Sequence, residues 1–216
     1  MKKRKISLED IWKQVPPDYY EKGIKHNLFQ WVWHNWKWWT MKKILLKINP
    51  APQKILDIGC SSGHITSKIV ELFPKAVTFG LDSYDQAINL GEKIHPQIKF
   101  YLGDAHKLPF KKGTFDLITC IETVEHLADP KKAISEMKRC LKKGKYLLVG
   151  QDTDNIFFKI IWSIWTKTFG RVWRNSYLHP LTPKLFEDLI KENKLKIKNK
   201  KFSQLGLEVF FLVKKI

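Results

Sequence analysis

Cysteine is scarce and scattered in this chain of 216 residues, which holds only 3. Cys60, Cys120 and Cys140 form no C-x-x-C pair, so neither a zinc site nor a disulfide framework is indicated, which suits a reducing cytoplasm. Long apolar runs are missing too: nothing approaches the ~18 uninterrupted apolar residues of a transmembrane helix, and the longest run, residues 156–165, is broken by Lys159. Met1-Lys2-Lys3-Arg4-Lys5 has the charge of a signal-peptide start, but Glu9 and Asp10 occupy the place of its apolar core. A cytoplasmic protein, at most peripheral to a membrane, is expected. Acidic residues are in deficit, 21 against 39 Lys and Arg, for a net charge of +18. Such a surface attracts nucleic acid or an anionic membrane face, although lysine excess is equally a mark of genome composition or heat adaptation.

What is present is one domain's worth of core, with 44% hydrophobic residues, organised around residues 54–73. Lys54 to Ile58 is a short apolar run of the kind that forms a strand buried on both faces. It breaks at Gly59 into Cys60-Ser61-Ser62-Gly63. A helix follows, with Ile65, Ile69, Leu72 and Phe73 on one face and Pro74 as its stop. Strand, glycine turn and helix make half of a nucleotide-binding βαβ unit. As a dinucleotide fingerprint the turn is poor, since Ser61 and Thr66 stand where glycines are wanted. Residues 59–63 also satisfy the nucleophile-elbow pattern G-x-S-x-G. That reading needs earlier strands, and nothing before Lys54 reads as one.

The same grammar repeats downstream. Strands are expected at residues 76–81, 98–102, 114–121 and 145–149, with helices at 84–94 and 130–141 between them. Strands alternating with helices argue an α/β fold, a parallel sheet covered on both faces. Before it, residues 1–50 read as a helical cap: an extended or turn element at Val15-Pro16-Pro17-Asp18-Tyr19-Tyr20, then a helix over 27–48 carrying Trp31, Trp33, Trp36, Trp38 and Trp39. These tryptophans do not share one helical face, so some must meet something other than the core. After the sheet's fifth strand, residues 156–173 read as an aromatic helix suited to burial or a lipid interface. A helix capped by Thr182 and Pro183 follows, and then strands at 194–198 and 207–213.

Three carboxylates lie at expected strand ends: Asp57, Asp82 and Asp104. In a doubly wound sheet these ends open onto one crevice, which would be acidic inside a basic protein and would suit a small, cationic ligand rich in hydrogen-bond donors. Leu56-Asp57-Ile58-Gly59-Cys60-Ser61-Ser62-Gly63 resembles the first motif of class I S-adenosylmethionine-dependent methyltransferases, with Ser61 in place of the family's glycine. Gly80-Leu81-Asp82, Gly103-Asp104-Ala105, Phe115-Asp116-Leu117-Ile118, Glu125-His126-Leu127 and Leu141-Lys142-Lys143-Gly144 follow in the order of the methyltransferase domain typified by ubiquinone-biosynthesis enzymes. The resemblance covers residues 54–150 closely and the tail loosely. It implies a Rossmann-like, mostly parallel seven-stranded sheet, a methyltransferase domain over 51–216, and S-adenosylmethionine as cofactor. It further implies that Asp57, Gly59, Cys60, Ser61 and Gly63 hold the methionyl end, Asp82 with Ser83 the ribose, and Asp104 with Ala105 the adenine, while Ile121 and Glu122 flank the cofactor.

Methyl transfer needs a general base only if the acceptor must lose a proton. Candidates are His126, His179, Glu122 and Tyr177, with His126 suited to orienting its loop and His179 in the variable segment 151–182 where an acceptor would sit. His64 and His106 are expected to face solvent. The aromatic segments favour a small, apolar or lipid-associated acceptor. An RNA acceptor is the alternative, favoured by charge and by aromatics able to stack bases. The third alternative is a catalytically silent, cofactor-binding partner scaffold.

Overall fold

The structure, a computed structural model, describes residues 14–168, 170–173 and 181–216. Two helices, α1 (Tyr19–His26) and α2 (Leu28–Leu45), precede the sheet. Then come β1 (Lys54–Ile58), α3 (His64–Leu72), β2 (Val77–Asp82), α4 (Asp85–Ile94), β3 (Lys99–Leu102), β4 (Phe115–Ile121), α5 (Pro130–Cys140) and β5 (Leu141–Asp152). The chain ends with α6 (Ile156–Lys167), α7 (Pro183–Glu192), β6 (Leu195–Ser203) and β7 (Glu208–Lys215). The seven strands form one sheet in the order β3-β2-β1-β4-β5-β7-β6. All pairs are parallel except those of β7, which runs antiparallel to both β5 and β6. The expected doubly wound α/β sheet is therefore what the chain builds, with a helical cap before it and a helix inserted after β5.

Alternation along the strands divides the core. Leu56, Ile58, Ile118, Cys120, Leu147 and Val149 face α5 and α7, whose Ile134, Met137, Phe186 and Ile190 are fully buried. Ile55, Leu117, Ile121, Leu148 and Phe210 face α2 and α3, through Met41, Ile44, Leu45 and Ile69. Phe115 and Leu117 lie on opposite sides although two apart, because the β4–β5 register shifts between them. The same shift extends β5 four residues earlier than expected, to Leu141 opposite Phe115.

The switch point of the strand order lies between β1 and β4, which run side by side while their crossovers leave in opposite directions. A crevice opens there at the carboxyl ends of the strands. The cap closes over it. The proline segment is shorter than the sequence suggests, since α1 already starts at Tyr19, where the chain is free of the restriction that Pro17 places on Pro16. In α6 the helix stops at Lys167, and Arg171–Trp173 is a separate 3-10 turn closed by Trp173 N–H donating to the Gly170 carbonyl at 3.0 Å.

Phe210 and Gly150 test the packing most simply. Phe210 is fully buried, and a Cβ on Gly150 would lie 2.6 Å from its ring. Gly150→Ala is expected to destabilise by about 1–3 kcal/mol through overpacking and Phe210→Ala by about 3–5 kcal/mol through a cavity. In urea denaturation the double variant should lose less than the sum of the two, because the methyl partly fills the cavity.

Candidate active site

The glycine turn after β1 is shaped by its neighbours. Gly59 sits at φ +73°, and a Cβ there would run into the Thr123 side chain. The Gly59 and Cys60 amides both donate to the Leu81 carbonyl, at 2.8 and 3.2 Å. Ser61 adopts φ 49°, a left-handed conformation that explains why glycine suits this position in related turns. Its strain is offset by its own amide, which donates to Asp82 Oδ2 at 2.8 Å. The Cys60 thiol is buried and burial pushes its pKa well up, so it is no nucleophile at neutral pH.

The three expected carboxylates do reach one cavity of about 840 Å³, but they differ in character. Asp57 is buried, and its two oxygens accept from Thr66 Oγ1 and Thr119 Oγ1, each at 2.6 Å. Thr119 is its register partner on β4. Desolvation outweighs these hydrogen bonds and lifts the carboxyl to about 6. Asp82 ends β2 and accepts from the Ser61 amide and, at 3.0 Å, from the Tyr84 amide. Burial raises it as well. Asp104 is exposed, and one of its oxygens takes both the amide and the Nδ1 of His106, at 2.8 and 2.6 Å. Burial pushes its pKa up a little, and the His106 hydrogen bonds pull it down further, so the net shift is downward. Ser83, Ala105, Ile121 and Glu122 line the same cavity.

A second, smaller cavity of about 120 Å³ opens beside the first. Tyr20, His34, Glu122, His126 and Trp173 line both. Glu122 stands at this junction at φ 48°, directly after β4, its amide held by the Gly150 carbonyl at 2.8 Å. Its carboxylate is ion-paired with Lys37 and accepts from Trp33 Nε1 at 3.4 Å. Burial pushes the carboxyl up, but the Lys37 charge overrides it and holds the pKa low. His126 lies in the 3-10 turn Val124–His126 that follows. His179 and Tyr177 lie outside the described residues.

Several contributors came from the cap and were not anticipated. Tyr20, His34 and Lys37 all line the main cavity. The signal for them was a polar stripe: Gln30, His34, Lys37 and Thr40, spaced four, three and three apart, form the buried upper part of α2, while Trp31, Trp36 and Trp39 are exposed. Two histidine expectations are corrected. His64 does not face solvent but packs edge-on to His34 at 6.3 Å, and desolvation holds it down to about 4. His106 is half-buried and bridges Asp104 to the Asp129 amide, which its Nε2 accepts at 3.1 Å.

The chain resembles known proteins in this same region. Residues 56–149 match the family model described as methyltransferase domain. An uncharacterised methyltransferase of Schizosaccharomyces pombe is 30% identical over 141 residues, 60% of this chain and 50% of that protein. A demethylmenaquinone methyltransferase of Thermotoga maritima is 28% identical over 171 residues, 71% of this chain and 75% of the relative. The chain thus spans half of the first relative's length and three quarters of the second's. Among solved structures, an S-adenosylmethionine-dependent methyltransferase of Thermotoga maritima superposes with a TM-score of 0.69 at 18% identity, covering 97% of this chain and 100% of that one. At that identity the likeness concerns the fold.

Asp57 carries a pH signature. Its folded pKa of about 6 lies above the ordinary 3.8, so between these values the folded state holds a proton that the unfolded state has lost. Stability contributed by the protonated form is present below the lower value and falls as pH rises to the upper one. Thermal melts of the wild type minus those of Asp57→Asn should show this downward slope between about pH 4 and 6 and flatten above it.

Proposed function

Since residues 56–149 match the methyltransferase-domain family model, we propose that the protein transfers the methyl group of S-adenosylmethionine to a small organic acceptor with an apolar body. The observation that carries this reading is the junction of two cavities: a large one edged by Asp57, Asp82 and Asp104, and a small aromatic one, sharing five side chains.

The donor set fits the cofactor. A carboxylate with two acceptor oxygens at Asp82, beside Ser83, suits a ribose diol. The turn from Gly59 through Cys60 and Ser61 to Gly63, at the N-terminus of α3, leaves room for the methionyl end near Asp57. Asp104 and Ala105 take the adenine side, and Ile121 and Glu122 the flank. When bound, the cofactor supplies an already activated sulfonium methyl, so this chain's residues have mainly to align and exclude water. In this reading His126 and Glu122 orient the acceptor at the junction.

In this reading α1 and α2 of the cap, with α6 of the segment after β5, together roof the acceptor. The Thermotoga relative is named for action on demethylmenaquinone. Ile156, Phe157, Ile160 and Ile164 are half exposed or more along α6, beside the acceptor cavity that Ile161 and Trp165 line. That face, on a basic protein, supports peripheral contact with an anionic membrane surface from which such an acceptor would enter. No helix of the described residues is long and apolar enough to cross a membrane.

Isothermal titration tests the cofactor assignment. S-adenosylhomocysteine should bind the wild type in the micromolar range, and Asp82→Asn should bind ten- to hundredfold more weakly, since a hydrogen bond to a charged group contributes about 1.5–3 kcal/mol. Equal binding by both would overturn the role given to Asp82, and no binding at millimolar ligand would overturn the enzyme reading.

A further inference from the structure

The cap and the segment after β5 carry apolar side chains outward as well as inward. On α2, Leu28, Trp31, Val32, Trp36 and Trp39 are exposed, and their spacing puts them on one helical stripe, opposite the buried Gln30, His34, Lys37 and Thr40. On α6, Ile156, Phe157, Ile160 and Ile164 form a second exposed stripe. Linking the two helices is the turn Gln204–Gly206, whose Leu205 is 89% exposed at φ 57°. A leucine in the left-handed region with its side chain in water is unfavourable on both counts. Contacts join the three pieces: Gln204 Nε2 donates to the Trp33 carbonyl at 3.1 Å, Asn155 Nδ2 donates to the Gly206 carbonyl at 2.8 Å, and the Phe29 and Trp165 rings meet at 5.6 Å. Together they make one apolar surface, too extensive to be an incidental scatter of exposed side chains.

Charge says what this surface meets. α2, α6, β6 and the turn after β6 contain no Asp or Glu, while Lys42, Lys43, Lys167 and Lys201 are exposed on them. Lys43 lies over the Trp39 ring at 3.0 Å. Asp154, just before α6, is mostly buried and is answered by Lys159 at 3.2 Å. Exposed tryptophans and aliphatic tips, with lysines able to reach past them, suit the boundary between lipid headgroups and acyl chains. An RNA would use the lysines and the tryptophans but has no apolar phase in which to bury Leu205, Ile160 and Ile164. A second copy of the same face would bring like charges together. We propose that the outer stripes of α2 and α6, with Leu205, form a single docking face for an anionic lipid bilayer. The docking stands on this surface alone. The route it gives the acceptor rests on the methyltransferase reading above: Phe29 is 49% exposed and also lines the smaller cavity, so a docked protein turns the seam between α2 and α6 toward lipid.

Vesicle flotation tests the face. The wild type should float with phosphatidylcholine vesicles containing about a third phosphatidylglycerol, and less with phosphatidylcholine alone. It should stay partly bound at about 500 mM salt, where a purely electrostatic attachment is screened. Trp31→Ser combined with Trp39→Ser should weaken partitioning at least about tenfold. Leu205→Asn, which keeps a residue tolerant of the left-handed region, should weaken it about fivefold. Both variants should bind S-adenosylhomocysteine as the wild type does, which separates loss of the face from loss of the fold. Lys42→Glu with Lys43→Glu should lower binding to the anionic vesicles more than Lys111→Glu with Lys112→Glu, an equal change of charge beside Phe110, on the α5 side of the sheet. No flotation with anionic vesicles, or equal flotation by the wild type and the α2 and Leu205 variants, would overturn the proposal. So would RNA retention or dimerisation that these variants abolish while vesicle binding persists. A wild type that floats but does not bind S-adenosylhomocysteine would remove the methyltransferase reading and leave the docking face standing.

Discussion

The ion pair between Lys37 and Glu122 is the contact on which the rest of the site depends. Lys37 is 1% exposed, and a buried ammonium is tolerated only beside a carboxylate that is itself well placed. Glu122 is placed by the sheet, as the residue that turns out of β4 at its carboxyl end. Lys37 is placed by the cap, on the inner face of α2. The pair therefore fixes the cap over the strand ends, and its loss would leave a buried charge uncompensated at about 3–5 kcal/mol. Neighbouring polar contacts act in the same direction: Thr40 Oγ1 meets Ser203 Oγ at 2.8 Å, and Gln204 Nε2 donates to the Trp33 carbonyl at 3.1 Å. The roof is thus held by polar groups, and its aromatics are left to shape the cavity beneath and the surface outside.

Charge is partitioned as a consequence. The exterior carries the excess of a +18 chain, while the crevice gathers Asp57, Asp82, Glu122, Glu125, Asp152 and Glu208. Asp152 and Glu208 are directly opposite one another at the end of the β5–β7 pair. Burial drives the pKa of Glu125 and Glu208 well up, with neighbouring carboxylates adding to it. The crevice edged by Asp57 and Asp82 suits the positively charged sulfonium of S-adenosylmethionine.

The sheet and the crevice at its strand ends were legible because they depend on local signals. Ile55, Leu56 and Ile58, or Leu117, Ile118 and Cys120, can only be buried strand residues, and Gly59 and Asp82 mark where the strands hand over to loops. The cap and the smaller cavity beneath it were not legible in the same way. In α2 the tryptophans, which share no one helical face, marked no inner face; the buried side of its first half is Gln30, His34, Lys37 and Thr40, because that half covers a polar crevice, while Met41, Ile44 and Leu45 of its second half meet the core. Burial of Glu208 could not be read from the alternation of β7 either, since its environment is made by Lys37, 171 positions away in the sequence. Long-range pairing of charges leaves no periodicity.

A crystal structure of the protein with S-adenosylhomocysteine is the most direct measurement. The account predicts the ribose against Asp82, the methionyl end over the Gly59 to Gly63 turn, and the sulfur facing the junction of Tyr20, His34, Glu122 and His126, open toward the aromatic cavity. Ligand bound elsewhere, or with its sulfur turned away from that junction, would contradict it.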